Sequence, residues 1–359
     1  MTHEEIFVYN KHTPKLPLDE PFVFAAVGLA HGHIHGMCKS LAAAGATIKY
    51  VFDEDESRIP LITKAFPEVI VAKSFDEILS DPEVKLIASA DIPSKRADLA
   101  IKAMEAGKDV FVDKAPLISF EQLDRVKETV KRTGRKLFVS YSEYISVEAA
   151  VYAKQLIDRG VIGKVAHLDI FAPHKLSPDT RPAWFFEREK TGGIITDIGS
   201  HQLQQFLVYS GAKDAKIESA RVANRFTTAY APAEEFEDFG DLTITADNGV
   251  TGYIRIDWYS PAGIGTWGDG RVIILGSDGY IELRKNCNIG HEKVTNTVFV
   301  CTKDGVYTES VTGKVGLPYC SALIEDCKNR TETAMSEHQT FKAIELAMTA
   351  QKMALNPQG

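Results

Sequence analysis

Asp197 and His201 stand four residues apart in the run Thr191-Gly192-Gly193-Ile194-Ile195-Thr196-Asp197-Ile198-Gly199-Ser200-His201. If Asp197 begins a helix, the imidazole lies on the same face one turn later, and carboxylate and ring can meet. A carboxylate fixes the tautomer of an imidazole and raises its affinity for a proton, so the pair reads as a positioned base for a hydroxyl proton. The same spacing also fits an N-cap aspartate followed by a core histidine. A second chemical group is Lys114 in Val110-Phe111-Val112-Asp113-Lys114-Ala115-Pro116, just past the carboxyl end of an apolar strand. Ligands of open α/β sheets bind at such strand ends, and an ammonium there could hold a hydroxyl and stabilise the charge left as its proton departs. A solvated lysine at a strand end is the plain alternative.

Positioning these groups requires a scaffold, and the chain supplies one in two textures. From Phe22, the strand FVFAAVG, the helix HIHGMCKSLAAAG, the strand TIKYVFD and their successors alternate to about residue 142. That alternation predicts an α/β Rossmann domain with a parallel, doubly wound sheet. Beyond it, long strand-like segments such as KVAHLDIFA and DLTITADNGVTGYIRIDWY are separated by Asp247-Asn248-Gly249, Ser277-Asp278-Gly279 and Lys303-Asp304-Gly305. Those turn tripeptides predict an α+β domain with a large, mostly antiparallel sheet, closed by helices around 320–329 and 338–354. The expected boundaries are an N-terminal arm at 1–20, a nucleotide-binding domain at 21–142 and a second domain at 143–359.

The first strand-to-helix loop, Gly28-Leu29-Ala30-His31-Gly32-His33-Ile34-His35-Gly36, stands where a dinucleotide fingerprint brings backbone to a pyrophosphate at a helix N-terminus. Gly28 fits the first glycine, while Ala30 and His33 occupy the second and third; Gly32 and Gly36 offer a shifted register. Asp53 ends the second strand, where a carboxylate accepts hydrogen bonds from an adenosine ribose and repels a 2′-phosphate. NAD is therefore expected over NADP, contacting Gly28, Ala30, His31, Gly32, His33, Ile34 and Asp53. Histidines at 31, 33 and 35 raise a metal site, but the loop lacks cysteine or carboxylate companions, and no metal is expected.

Composition excludes other classes. The 359 residues exceed the usual size of a single core, and 44% hydrophobic with 25% charged residues is an ordinary globular balance. A net charge of −8 without a basic aromatic stripe gives no reason for a nucleic-acid partner. No apolar run reaches membrane-spanning length, and the opening residues lack the core of a secretory signal. Five cysteines without C-x-x-C spacing suggest reduced thiols in the cytoplasm.

With these motifs in place, the chain resembles the Gfo/Idh/MocA oxidoreductases, the family of glucose–fructose oxidoreductase and inositol dehydrogenase. The Glu-Lys-Pro motif of that family is matched by Asp113-Lys114-Ala115-Pro116, preceded by Glu105-Ala106-Gly107-Lys108-Asp109-Val110, and its Gly-Gly-x-x-x-Asp-x-Gly-x-His motif is intact from Gly192 to His201. The resemblance implies Lys114, Asp197 and His201 as the catalytic group, all three also contacting substrate. It adds Ile92, Pro93, Asp113 and Lys114 on the cofactor side, and His174, Arg181 and Trp184 at the substrate pocket, with loop 258–269 as a weaker candidate. It implies hydride transfer from a secondary hydroxyl of a sugar, glycoside or cyclitol to NAD. Internal redox recycling on tightly held NAD and a non-catalytic NAD-dependent regulator are the alternatives. A homodimer or homotetramer is expected, the arm bracing a neighbouring subunit. Departures lie in the degraded glycine loop, in Ala115, and in Ser140-Tyr141-Ser142-Glu143-Tyr144, where the family often carries Asn or Arg.

Overall fold

The structure is a computed structural model that describes residues 1–227, 235–290 and 294–356. Among the described residues fourteen strands form two sheets. In the first, β1 (Val23–Val27), β2 (Thr47–Phe52), β3 (Ile70–Val71), β4 (Val84–Ser89), β5 (Asp109–Asp113) and β6 (Leu137–Ser140) are parallel, in the order β3-β2-β1-β4-β5-β6. This is the doubly wound order, whose topological switch point falls between β1 and β4. Strand β5, between β4 and the edge strand β6, is buried at every residue, as a strand covered on both faces must be.

Helix α1 (His33–Ala43) buries Ile34, Met37, Cys38 and Leu41, the i, i+3, i+4, i+7 stripe of a helix lying on a sheet. The next helices are α2 (Phe75–Ser80), α3 (Pro93–Glu105) and α4 (Phe120–Thr133). Local chemistry sets the limits of α4: the Ser119 hydroxyl accepts from Gln122 N at 3.2 Å, and Gly134 turns left-handed at its end.

The second sheet comprises β7 (Val165–Pro173), β8 (Ala215–Ala223), β9 (Phe239–Ala246), β10 (Thr251–Asp257), β11 (Arg271–Gly276), β12 (Gly279–Arg284), β13 (Thr297–Thr302) and β14 (Gly305–Ser310). Its order is β14-β13-β12-β11-β7-β10-β9-β8, antiparallel except where β10 lies parallel to β7. The three turn tripeptides join β9 to β10, β11 to β12 and β13 to β14, as their chemistry requires. Helices α5 (Glu148–Asp158) and α6 (Ser200–Ser210) belong to this part of the chain, and α7 (Tyr319–Asn329) and α8 (Glu337–Leu355) follow it.

Packing divides the chain into two compact units with non-contiguous membership. One contains 13–140 and 318–341; the other contains 1–12, 141–317 and 342–359. Segment 318–341, expected with the second domain, joins the Rossmann unit because Tyr319 Oη donates to Val139 O at 3.2 Å and Arg330 Nη1 pairs with Asp109 at 2.7 Å. Residues 1–12, the first part of the expected arm, lie on the second unit of their own chain. Tyr152 Oη donates to Ile6 O at 2.7 Å, and Tyr307 Oη donates to Met1 O at 2.6 Å. Among the described residues no helix is long and apolar enough to cross a membrane.

Candidate active site

In the Rossmann unit the loops after β1 and β4 are laced together: Ala90 N donates to Gly28 O at 3.0 Å and His31 N donates to Ala90 O at 2.8 Å. Gly28 has φ +71°, and a Cβ there would stand 2.7 Å from Asp91 Cβ, so the close approach demands glycine. Burial pushes the Asp91 carboxyl up. Asp53 lies one residue past β2, as predicted, and is buried. Its carboxylate accepts from the N–H groups of Leu29 and Asp55, the latter at 2.8 Å, and from Arg58 Nη1 at 3.2 Å. A carboxylate offers about four acceptor sites, which leaves room for a ribose hydroxyl. The N-cap of α1 is Gly32, with no side-chain cap and no acid in the first turn, and an added Cβ there would meet nothing within 4 Å. A helix N-terminus so exposed suits a phosphate, and the residues fit a dinucleotide. Ile34 is fully buried in the helix–sheet core, so its side chain packs rather than facing a ligand.

Lys114, with Asp113, follows from the end of β5 and is 6% exposed; its peptide bond to Ala115 is cis. The turn that carries it is gripped from behind by Arg96 of α3. Arg96 Nε donates to Asp91 O at 2.7 Å, and Nη1 donates to the carbonyls of Asp113 at 3.0 Å and Ala115 at 2.9 Å, and also to that of Lys114. Its Nη2 meets Asp113 Oδ2 at 3.2 Å. Sequence reasoning missed Arg96; its signal was a guanidinium on the otherwise apolar inner face of α3, alongside Ala97, Ala100 and Ala103.

The companion carboxylate missing from the histidine loop comes from Asp113: ligand atoms of His31, His33 and Asp113 lie within 4.8 Å of one another. Two of their hydrogen bonds run within the cluster. His33 Nδ1–H donates to Asp113 Oδ1 at 3.0 Å, and His31 Nδ1 accepts from His33 N–H at 3.3 Å. Burial works to raise the Asp113 pKa, but the charges of His33 and Arg96 outweigh it and hold the carboxyl well below its usual range. Burial, reinforced by the His33 charge, drives His31 well down, so its ring is neutral. His35 stands apart, with Nδ1 facing Leu61 O at 3.3 Å.

In the second unit, Asp197 is not the N-cap of an ordinary helix. Residues Ile195–Gly199 form a π-helical turn that runs directly into α6. Such turns interrupt the α repeat and are frequent at functional sites. Asp197 is 8% and His201 2% exposed. The start of the segment is held by side chains from elsewhere: Ile194 N donates to Glu237 Oε2 at 2.8 Å and Ile195 N to Gln351 Oε1 at 2.9 Å. Gln351 Nε2 donates in turn to Glu237 at 2.9 Å. Gly193, at φ +90°, lies against that amide; a Cβ there would come within 2.5 Å of Gln351. The double glycine of the motif thus admits a buried amide–carboxylate clasp.

Asp197 also lines a small, partly open pocket walled by Phe185, Phe186, Phe236 and Trp258, with Arg188, Glu235 and Glu237 on its rim. Trp184, predicted as the aromatic platform, sits in the turn Ala183–Phe186 but does not line this pocket; the weaker candidate loop contributes Trp258 instead. The Arg181 guanidinium stacks 4.4 Å from the Phe185 ring and 5.5 Å from that of Trp258. The His174 ring lies 5.5 Å from the Trp258 ring and 4.6 Å from that of Trp267. Sequence reasoning also missed Glu143 and Lys285, a fully buried pair with Nζ 3.1 Å from Oε2. Residues 142 apart leave no local pattern to read.

Two family matches fit this geometry. Residues 24–141 match the oxidoreductase family described by an NAD-binding Rossmann fold, and residues 150–282 match the GFO/IDH/MocA C-terminal domain. Together they span well over half of the chain, which belongs to the Gfo/Idh/MocA oxidoreductases and carries their NAD-binding Rossmann domain. Among solved structures, an oxidoreductase provisionally assigned as such from Erwinia carotovora atroseptica SCRI1043 is 42% identical, with a TM-score of 0.89 over 93% of this chain and 98% of that one. The scyllo-inositol 2-dehydrogenase (NAD+) of Bacillus subtilis strain 168 is 27% identical over 274 residues, 76% of this chain and 75% of the relative. A levoglucosan dehydrogenase solved with NADH and L-sorbose shares the fold, with a TM-score of 0.75 at 16% identity over 94% of this chain and 97% of that one.

Proposed function

We propose that this protein oxidises a secondary hydroxyl of a sugar, glycoside or cyclitol in an NAD-dependent reaction. The observation that supports it most is the placement of Asp197 and His201 on one buried π-to-α segment, with Asp197 in the wall of an aromatic pocket. NAD, when bound, supplies the hydride acceptor. His201 takes the hydroxyl proton, a service typically worth about 10² to 10⁴ in rate. Asp197, one turn away, orients the ring and accepts a hydrogen bond from a neighbouring hydroxyl. Lys114 holds the reacting oxygen and stabilises the charge that develops there. Trp258 and Phe185 offer apolar faces to the C–H side of a sugar ring. His174 and Arg181 contribute donors beside those rings. Asp53 favours NAD over NADP by excluding a 2′-phosphate.

The inositol-oxidising relative supports the polyol class. The same reading makes the protein a cytoplasmic homodimer or homotetramer. The test follows NADH absorbance as purified protein, with NAD or NADP, meets a panel of sugars, inositols and glycosides. Steady NADH with one class of polyol supports the proposal. Altered sugar products without NADH release would replace it by internal recycling, and no turnover of any kind would overturn it.

A further inference from the structure

Glu143 lies in the short helical turn Ser142–Ile145 and Lys285 just past β12, and both are 2% exposed. An ion pair so deeply buried gains little over an apolar pair of the same volume, because both charges lose their water. Its geometry points to work done on neighbours. Glu143 Oε2 is occupied by Lys285 Nζ at 3.1 Å. The other oxygen, Oε1, is buried without a hydrogen bond among the described residues and faces His174 Nε2 at 3.5 Å.

The far side of the His174 ring fixes its protonation. Nδ1 lies 3.0 Å from Ala172 O, a carbonyl that can only accept, so Nδ1 carries a proton. A neutral ring would then turn a bare Nε2 lone pair toward a carboxylate oxygen. The arrangement is attractive only if Nε2 is protonated too. The flanking Trp258 and Trp267 rings are surfaces that suit a cation.

Two charged groups stand against Glu143, Lys285 after β12 and His174 after β7, and His201 and Tyr209 on α6 act on it electrostatically. Asp197 precedes His201 on its own segment, and the Tyr141 ring stands 6.1 Å from the His201 ring. Burial works to raise the Glu143 pKa, but Lys285, His201 and His174 bring it down to about 2. Burial lowers Lys285, with Glu143 offsetting part of the effect.

We propose that Glu143, charge-balanced by Lys285, is a positioning residue that holds His174 as an imidazolium beside the aromatic pocket. The assignment stands on the geometry of Glu143, His174 and the Ala172 carbonyl.

The experiment compares the full-length protein with a Glu143→Gln/Lys285→Met variant, because Glu143→Gln alone strands a buried ammonium. Imidazole protonation is followed by NMR on ¹⁵N-histidine-labelled protein, with His174→Asn assigning the signal. His174 is expected to stay charged to at least about one pH unit above free histidine and to lose its proton about one unit lower in the double variant, a tenfold change. A neutral His174 at pH 7 in the unaltered protein overturns the proposal whatever the activity. If no polyol is oxidised but His174 titrates as stated, the reaction reading fails while the anchoring of His174 stands.

Discussion

Arg96 Nη1 lies 2.9 Å from the carbonyl oxygen of Ala115, the residue after the candidate lysine, and the same guanidinium meets the Asp113 carboxylate at 3.2 Å. One buried side chain therefore holds the backbone that presents Lys114 and, with His33, keeps its neighbour charged. No lysine reproduces this: a point charge on a flexible stem cannot address four carbonyls and a carboxylate at fixed angles.

Replacing Arg96 by Met should destabilise the protein by about 3–5 kcal/mol, since buried Asp113 loses one of its charged partners and four carbonyls lose their donor, and Lys should recover only part of this. Urea unfolding measures it. Full stability in the lysine variant would show that positive charge alone is enough.

His201→Asn and Lys114→Met should each reduce turnover by about 10² to 10⁴ while leaving NAD affinity within a few-fold of the original. Steady-state kinetics with fluorescence titration of NADH separates the two effects. Unchanged turnover in either variant would remove that residue from the chemistry.

Asp53→Ser should raise the affinity for NADP relative to NAD by about tenfold, because the loss of the carboxylate leaves the Arg58 guanidinium facing the 2′ position. The ratio of the two dissociation constants is the readout. An unmoved ratio would mean that Asp53 serves only to tie its loop to Leu29 and Asp55.

Gly193→Ala should cost about 1–3 kcal/mol, combining a left-handed backbone with a clash against the Gln351 amide. A drop of several degrees in Tm is the expected result. Indifference to the change would mean that the clasp of Gln351 and Glu237 can yield.

Stability should fall in acid with a definite sign. The folded-state pKa of Glu143 is depressed from 4.5 to about 2, so its contribution is complete above about pH 4.5 and is lost as the pH falls through about 2. The Asp113 contribution has the same sign. For Glu143 the loss is on the order of 3 kcal/mol. Urea titrations between pH 5 and 2 should show a steeper decline for the unaltered protein than for the Glu143→Gln/Lys285→Met variant, and equal slopes would refute the assignment.

What was legible in the sequence followed from local periodicity. The βα alternation announced the parallel sheet, and turn tripeptides announced the hairpins of the second one. Asp53 and Lys114 could be located because strand ends are visible in the hydrophobic pattern. Long-range partners were not. Arg96 reaches residues 17 to 19 positions on, and Lys285 reaches across 142. The π-turn at Asp197 was hidden because its spacing to His201 fits an ordinary helix equally well. The choice between Trp184 and Trp258 as pocket wall depended on how a 3₁₀ turn rotates its side chains, which composition does not encode.

The non-contiguous make-up of the Rossmann unit bears on the order in which a newly made chain can fold. Asp109 is buried at the start of β5, yet its partner Arg330 follows 221 residues later. Domains usually fold as units from the N-terminal end during synthesis. Here a nascent chain that has emerged as far as β6 has all six strands of the first sheet and still lacks the cation for a carboxylate in its core. The nucleotide-binding unit is thus begun before the second sheet is made and completed only after that sheet has left the ribosome.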